Sequence, residues 1–148
     1  AMHHSPERLC TLNNFHFCTL NHIAAYVLAF TPPLVLEFSQ HALLAYATLT
    51  LPIVLFQHSN IRFDFGVLNY LFNTNELHRL HHSAAAKEGT KNLGRALVIW
   101  DQVFGTFLAP ARRSEPKSIG LLAASRSYPK ANHLLRQITW HFCKTCCA

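Results

Sequence analysis

His78, His81 and His82 form the pattern H-x-x-H-H, the spacing that three metal-binding imidazoles on one helix require. At 3.6 residues per turn, positions i, i+3 and i+4 share a face, so three rings converge without bending the backbone. Two further histidine groups accompany this box. His3-His4-Ser5 echoes His81-His82-Ser83, and His58 lies beside Asn60 upstream of the box. Eleven histidines against seven acidic residues need a common chemical cause. An all-imidazole set suits iron, copper or zinc and excludes calcium and magnesium, which take oxygen ligands. A structural zinc uses four ligands, whereas His3, His4, His58, His78, His81 and His82 make six, so the set predicts two metals. Asp101 is the acid of interest: it either accepts the second ring N–H of a ligand histidine or hydrogen-bonds at a helix end.

The elements that position these groups are read from the charge pattern. The 148 residues are enough for one domain or a piece of one, and with half of them apolar and 14% charged they exclude a disordered chain and a solvated helical array. A net charge of +6 raises nucleic acid as a partner, but its distribution points away from it. Leu9–Leu36 and Phe38–Ile61 contain no Asp, Glu, Lys or Arg, which predicts a membrane hairpin over residues 15–57 with apolar cores at Ile23–Leu36 and Ala42–Phe56. These cores fall short of a hydrocarbon layer of roughly 30 Å unless Phe15, Phe17 and Leu20 extend them. Pro32, Pro33 and Pro52 are expected to kink the helices. The turn Glu37–His41 carries no Lys or Arg, and twelve of the thirteen basic residues follow the second segment. By the positive-inside rule both ends face the cytoplasm, which puts all three histidine groups on one side. The expected fold is an all-α integral-membrane protein with a transmembrane hairpin, a cytoplasmic histidine-rich cap over 62–110 and a C-terminal tail over 111–148.

Within the cap, Asn73 followed by Glu76 predicts a helix start, with Leu77, Leu80 and Ala84 as its apolar stripe as far as Gly89. A second helix is expected from Arg95 to Phe104, ended by Gly105, with Trp100 and Phe104 read as core in preference to a lipid-facing surface. Five cysteines, an odd number, do not make a disulfide framework and suit a reducing compartment. His141, Cys143, Cys146 and Cys147 spell H-x-C-x-x-C-C, read as a terminus rather than a zinc site. His22, His41 and His133 have no box around them.

Five pieces together resemble the fatty acid hydroxylase and sterol desaturase superfamily: His3-His4-Ser5-Pro6-Glu7-Arg8-Leu9, Gln57-His58-Ser59-Asn60, Glu76–Ser83, Asn92-Leu93-Gly94 and Trp100–Phe107. Ser127-Tyr128-Pro129-Lys130 is similar to the family's weaker C-terminal segment. The resemblance implies a di-iron centre held by the six histidines, with Asp101 in the family's W-D motif. It also implies dioxygen-dependent hydroxylation or desaturation of a sterol or fatty-acyl membrane lipid, with electrons from an unidentified partner. The alternative is a non-catalytic membrane metal-binding module. Two departures stand out. The first histidine of the family's leading box would fall one residue before Ala1, and an earlier box has no counterpart, so the chain reads as an N-terminally truncated member that binds metal without turning lipid over. His16-Phe17-Cys18-Thr19 stands where relatives often read Arg-Phe-His-Pro, and neither His16 nor Cys18 is given a role.

Overall fold

The computed structural model describes residues 2–16, 19–61, 63–110, 115–125, 127–130 and 132–140. Six α-helices are described: α1 Thr19–Val35, α2 Gln40–Gln57, α3 Asn75–His81, α4 Ala86–Gly89, α5 Ile99–Val103 and α6 Leu134–Thr139. Short 3-10 turns lie at Met2–His4, Thr11–Phe15, Gly66–Tyr70 and Ala123–Ser125. Among the described residues there is no strand, only isolated bridges between Phe72 and Leu97 and between Ser83 and Ile119.

Helices α1 and α2 occupy the two uncharged stretches, joined by a short turn. Glu37 adopts a left-handed φ of 54° in the turn, and Ser39 then caps α2 by accepting from the Ala42 N–H at 3.2 Å. Both helices run through their prolines. Their 17 and 18 residues rise about 26 Å and 27 Å. Phe15 belongs to a separate 3-10 turn and adds no length to α1, and Phe17 lies outside the described residues. Among the described residues no helix is long and apolar enough to cross a membrane.

The cap differs from its sequence pattern in three places. Thr74, not Asn73, caps α3 through the Leu77 N–H, while Glu76 accepts from the Phe65 N–H and Asn69 Nδ2 rather than closing a capping box. The stripe from Leu77 to Gly89 is broken after His81 because the backbone there pairs with a distant segment: Ala84 N–H donates to Ser118 O and Gly120 N–H to His82 O. The helix expected over Arg95–Phe104 begins only at Ile99, since Arg95 O accepts from Gln57, Ala96 O from the Asn73 N–H, and the Val98 N–H donates to Leu71 O. Its end is as expected, with Gly105 at φ +71°. Trp100 and Phe104 are 65% and 74% exposed, so they are surface and not core. The H-x-C-x-x-C-C segment and Cys18 lie outside the described residues.

What holds the cap against α2 is a set of buried amides. Asn75 Nδ2 donates to the carbonyls of Phe56, Gln57 and Ser59 at 2.6–3.2 Å, satisfying the open end of α2. Gln57 Nε2 donates to Asn73 O and Arg95 O, and Asn73 Nδ2 to Asn92 O and Gly94 O. Asn92, at a left-handed φ of 54°, donates through Nδ2 to Leu77 O and Leu108 O and accepts from the Leu108 N–H. The N-x-G and W-D motifs are thus one unit. Asp101 accepts from Leu93 N–H, Gly94 N–H and the Thr106 hydroxyl at 2.6–2.8 Å, and a Cβ on Gly94 would lie 2.2 Å from Leu97 O and 2.8 Å from Asp101 Oδ2.

Gly94→Ala is expected to destabilise the fold by about 1–3 kcal/mol through overpacking, and Asp101→Ala by a similar amount, about 1–3 kcal/mol, through unpaired buried N–H groups. Because both break the same loop, the double variant should lose less than the sum. Denaturant unfolding of the four proteins in detergent checks this, and strict additivity would separate the two motifs.

Candidate metal centre

Three chain segments bring the histidines together. The 3-10 turn Met2–His4 carries His3 and His4, the C-terminus of α2 presents His58, and α3 with its C-cap presents His78, His81 and His82. Ring centroids of His3, His58, His78 and His82 lie 4.4–6.1 Å apart. One donor atom from each of these four falls within 4.8 Å of the others. His4 and His81 flank the group, 4.6 Å apart by ring centroid, with His4 4.5 Å from His82 and His81 5.3 Å from His78. All six histidines singled out by the sequence therefore lie in one cluster, four with converging donors and two beside them.

The Nε2 atoms face inward. His58 Nε2 is 3.2 Å from His3 Nε2, His78 Nε2 is 3.0 Å from His58 Nε2, and His82 Nε2 is 3.1 Å from His78 Nε2. His58 Nδ1 lies 3.2 Å from Val54 O and His81 Nδ1 3.0 Å from Lys91 O. A carbonyl only accepts, so these two rings carry their proton on Nδ1 and leave Nε2 bare. His58 then has one lone pair to offer inside the cluster, and His78 Nε2 has either one proton or one lone pair. At most two of the three short Nε2 contacts can be hydrogen bonds between neutral rings. Nor does protonation resolve the conflict. Burial first, and then the neighbouring His58, His4 and His81, push His3 down to about 2. Burial, with His81 next, pushes His4 down to about 3. Burial is also the leading cause that lowers His58, His78, His81 and His82. Inward lone pairs on rings that resist protonation fit a cation with nitrogen ligands.

Asp101 takes no part in orienting these rings by hydrogen bond: its described bonds go to Leu93, Gly94 and Thr106, and carbonyls of Val54 and Lys91 serve His58 and His81 instead. Its negative charge is one of the weaker influences that raise His81 against the effect of burial.

His16 has a structural place that sequence reasoning missed. Its Nε2 lies 3.0 Å from Gln137 Oε1 and 3.3 Å from Ser5 Oγ, and Gln137 Nε2 donates to Ser5 Oγ and Pro129 O. This clamp ties the turn bearing His3 and His4 to α6, with Tyr128 packed beside it and its hydroxyl donating to Gln137 O at 3.4 Å. No spacing rule signals a contact between residues 132 positions apart. His41 is exposed in the first turn of α2, and His133 is exposed just before α6.

A cavity of about 500 Å³ opens between α1 and α2 and ends on the cluster. Ala25, Ala29, Phe30, Ala47, Leu51 and Val54 give it an apolar wall, and His3, His58, His78 and His81 line it at the metal side. His22 and Arg95 also border it.

Residues 1–106 match the family model of fatty acid hydroxylase. The chain is 38% identical over 114 residues to the ornithine lipid hydroxylase OlsE of Rhizobium tropici, covering 77% of this chain and 34% of that protein. It is 34% identical over 71 residues to the alkylglycerol monooxygenase of Caenorhabditis elegans, covering 48% of this chain and 14% of that protein. The corresponding human protein is 38% identical over 52 residues, 35% of this chain and 12% of its own length. The chain thus spans about a third or less of the length of these relatives. No solved structure matches it.

His82→Ala is expected to lower bound metal in the purified protein, whereas His133→Ala should leave it unchanged, because only the first removes an inward donor. Equal retention, measured by elemental analysis, would place the metal elsewhere. The pH response follows from the lowered pKa values. The fold keeps these rings neutral while the unfolded chain protonates them below about 6.5, so stability falls with pH by about 1.4 kcal/mol per unit for each such histidine. For His4 the loss continues down to about 3. Bound metal competes with protons, so the acid transition followed by circular dichroism should move to lower pH in the metal-loaded protein.

Proposed function

Because the chain belongs to the fatty acid hydroxylase family, we propose that it forms the metal centre of a membrane-bound, iron-dependent enzyme that hydroxylates or desaturates a sterol or fatty-acyl lipid. The cavity that runs between two apolar helices and is bordered by three of the four converging histidines, His3, His58 and His78, is the observation that carries this reading. Its wall suits a hydrocarbon chain, and its far end brings a C–H bond beside the donors of His3, His58 and His78. His3, His58, His78 and His82 would hold iron between their converging donors, and His4 and His81 lie beside them as the further histidines of the centre. Bound there, iron supplies the activation of dioxygen needed to oxidise an unactivated C–H bond, with electrons from a partner. The protein's own part is to keep the imidazoles neutral by burial, to fix His58 and His81 by their Nδ1–H bonds to carbonyls, and to exclude water with apolar side chains. The ornithine lipid and alkylglycerol in the relatives' names support a lipid substrate.

Membrane placement is supported by an inverted surface. Leu28, Leu34, Val35, Leu44 and Leu49 are each at least 66% exposed, while Gln57, Asn73, Asn75 and Asn92 are buried. Helices of about 26–27 Å suit a thin or tilted arrangement in a layer of roughly 30 Å, with the histidine centre on the cytoplasmic face. The alternative, a non-catalytic metal-binding module, leaves the cavity without a use.

Alkali-washed membranes carrying these residues within a protein of the relatives' length, supplied with iron, oxygen and an electron donor, should oxidise a lipid from a sterol and fatty-acyl panel. Ala47→Trp, which fills the cavity without touching a histidine, should cut turnover at least tenfold while iron content stays unchanged. Turnover unaffected by that substitution would remove the cavity from the reaction, and iron bound without any turnover would favour the module.

A further inference from the structure

Arg95 alone among the described residues lining the cavity is of the Asp, Glu, Lys and Arg class. Among the described residues no carboxylate pairs with it; its guanidinium carbon instead lies 5.8 Å from the centroid of the Tyr26 ring on α1. Gln57, the residue before His58, holds the Arg95 carbonyl at 2.8 Å, so its backbone is pinned near the histidines while its side chain reaches across to α1. The aromatic face steadies the cation but leaves its N–H donors available, and a planar guanidinium matches a carboxylate or phosphate with paired hydrogen bonds. Arg95 is exposed, so it presents a solvated cation to a ligand that enters along a wall whose other described residues carry no charge of the Asp, Glu, Lys and Arg class.

We propose that Arg95 binds the anionic group, carboxylate or phosphate, of the lipid that enters the cavity, and so selects acidic lipids over neutral ones. This rests on the reading of the cavity as a lipid site, and the test separates the two. Dodecanoate, dodecyl phosphate and neutral dodecylglycerol, each below its micelle concentration, are titrated into the metal-loaded protein. At least one of the two anions should bind roughly tenfold more tightly than dodecylglycerol, and which one does identifies the head group. Arg95→Gln should lose that preference and Arg95→Lys keep part of it, with metal content reporting an intact fold in both. Lys117→Gln, which removes the same charge from an exposed residue that does not line the cavity, should keep the preference in full. Equal binding of all three heads by the unaltered protein, or a preference that survives in Arg95→Gln, would overturn the role of Arg95 while leaving the cavity reading in place. Failure of any dodecyl chain to bind would overturn both.

Discussion

Four imidazoles with donor atoms brought within 4.8 Å of one another are the constraint on which the structure turns. At most two of the three short Nε2 contacts can be hydrogen bonds, and imidazolium would repel imidazolium, so the rest of the chain has to hold the group together. Burial lowers the affinity of every one of the six rings for protons, so the group stays uncharged.

The force comes from side-chain amides more than from apolar packing. Asn75 closes the end of α2, Gln57 spans from α2 to two loops, and Asn92 joins α3 to the segment after α5. Each amide makes two or more hydrogen bonds in a place that water does not reach, where direction counts and a misplaced partner is costly. Such a frame fixes orientation as well as distance. Apolar contact alone would let a ring slide, whereas His58 is aligned by Val54 O and His81 by Lys91 O.

Placing polar groups inside leaves apolar groups outside, and the outer face of the hairpin carries leucine and valine where an ordinary water-soluble fold would carry charge. The cavity-lining faces of α1 and α2 mix alanines with the rings of Tyr26, Phe30 and Tyr46. Alanines at 25, 29 and 47 leave room for the cavity that larger side chains would fill. A polar core, an apolar exterior and a channel between the helices are one arrangement viewed from three sides.

Much of this is written locally in the chain. That His78, His81 and His82 share a face follows from the pitch of a helix, the two long helices from two uncharged stretches, and the end of α5 from one glycine. These are decisions made within a turn or two, where sequence spacing and spatial distance are nearly the same thing. The tertiary structure decided what depends on partners far along the chain. It broke the helix after His81 by pairing the backbone with Ser118 and Gly120, and it turned Trp100 and Phe104 outward. It also gave the Asp101 carboxylate to Leu93, Gly94 and Thr106 rather than to a histidine, and made His16 a clamp on Gln137. A carboxylate, an amide or an imidazole bonds equally well to any partner of the right polarity, so its residue type states what it can do. Only the path of the backbone determines which partner arrives within 3 Å.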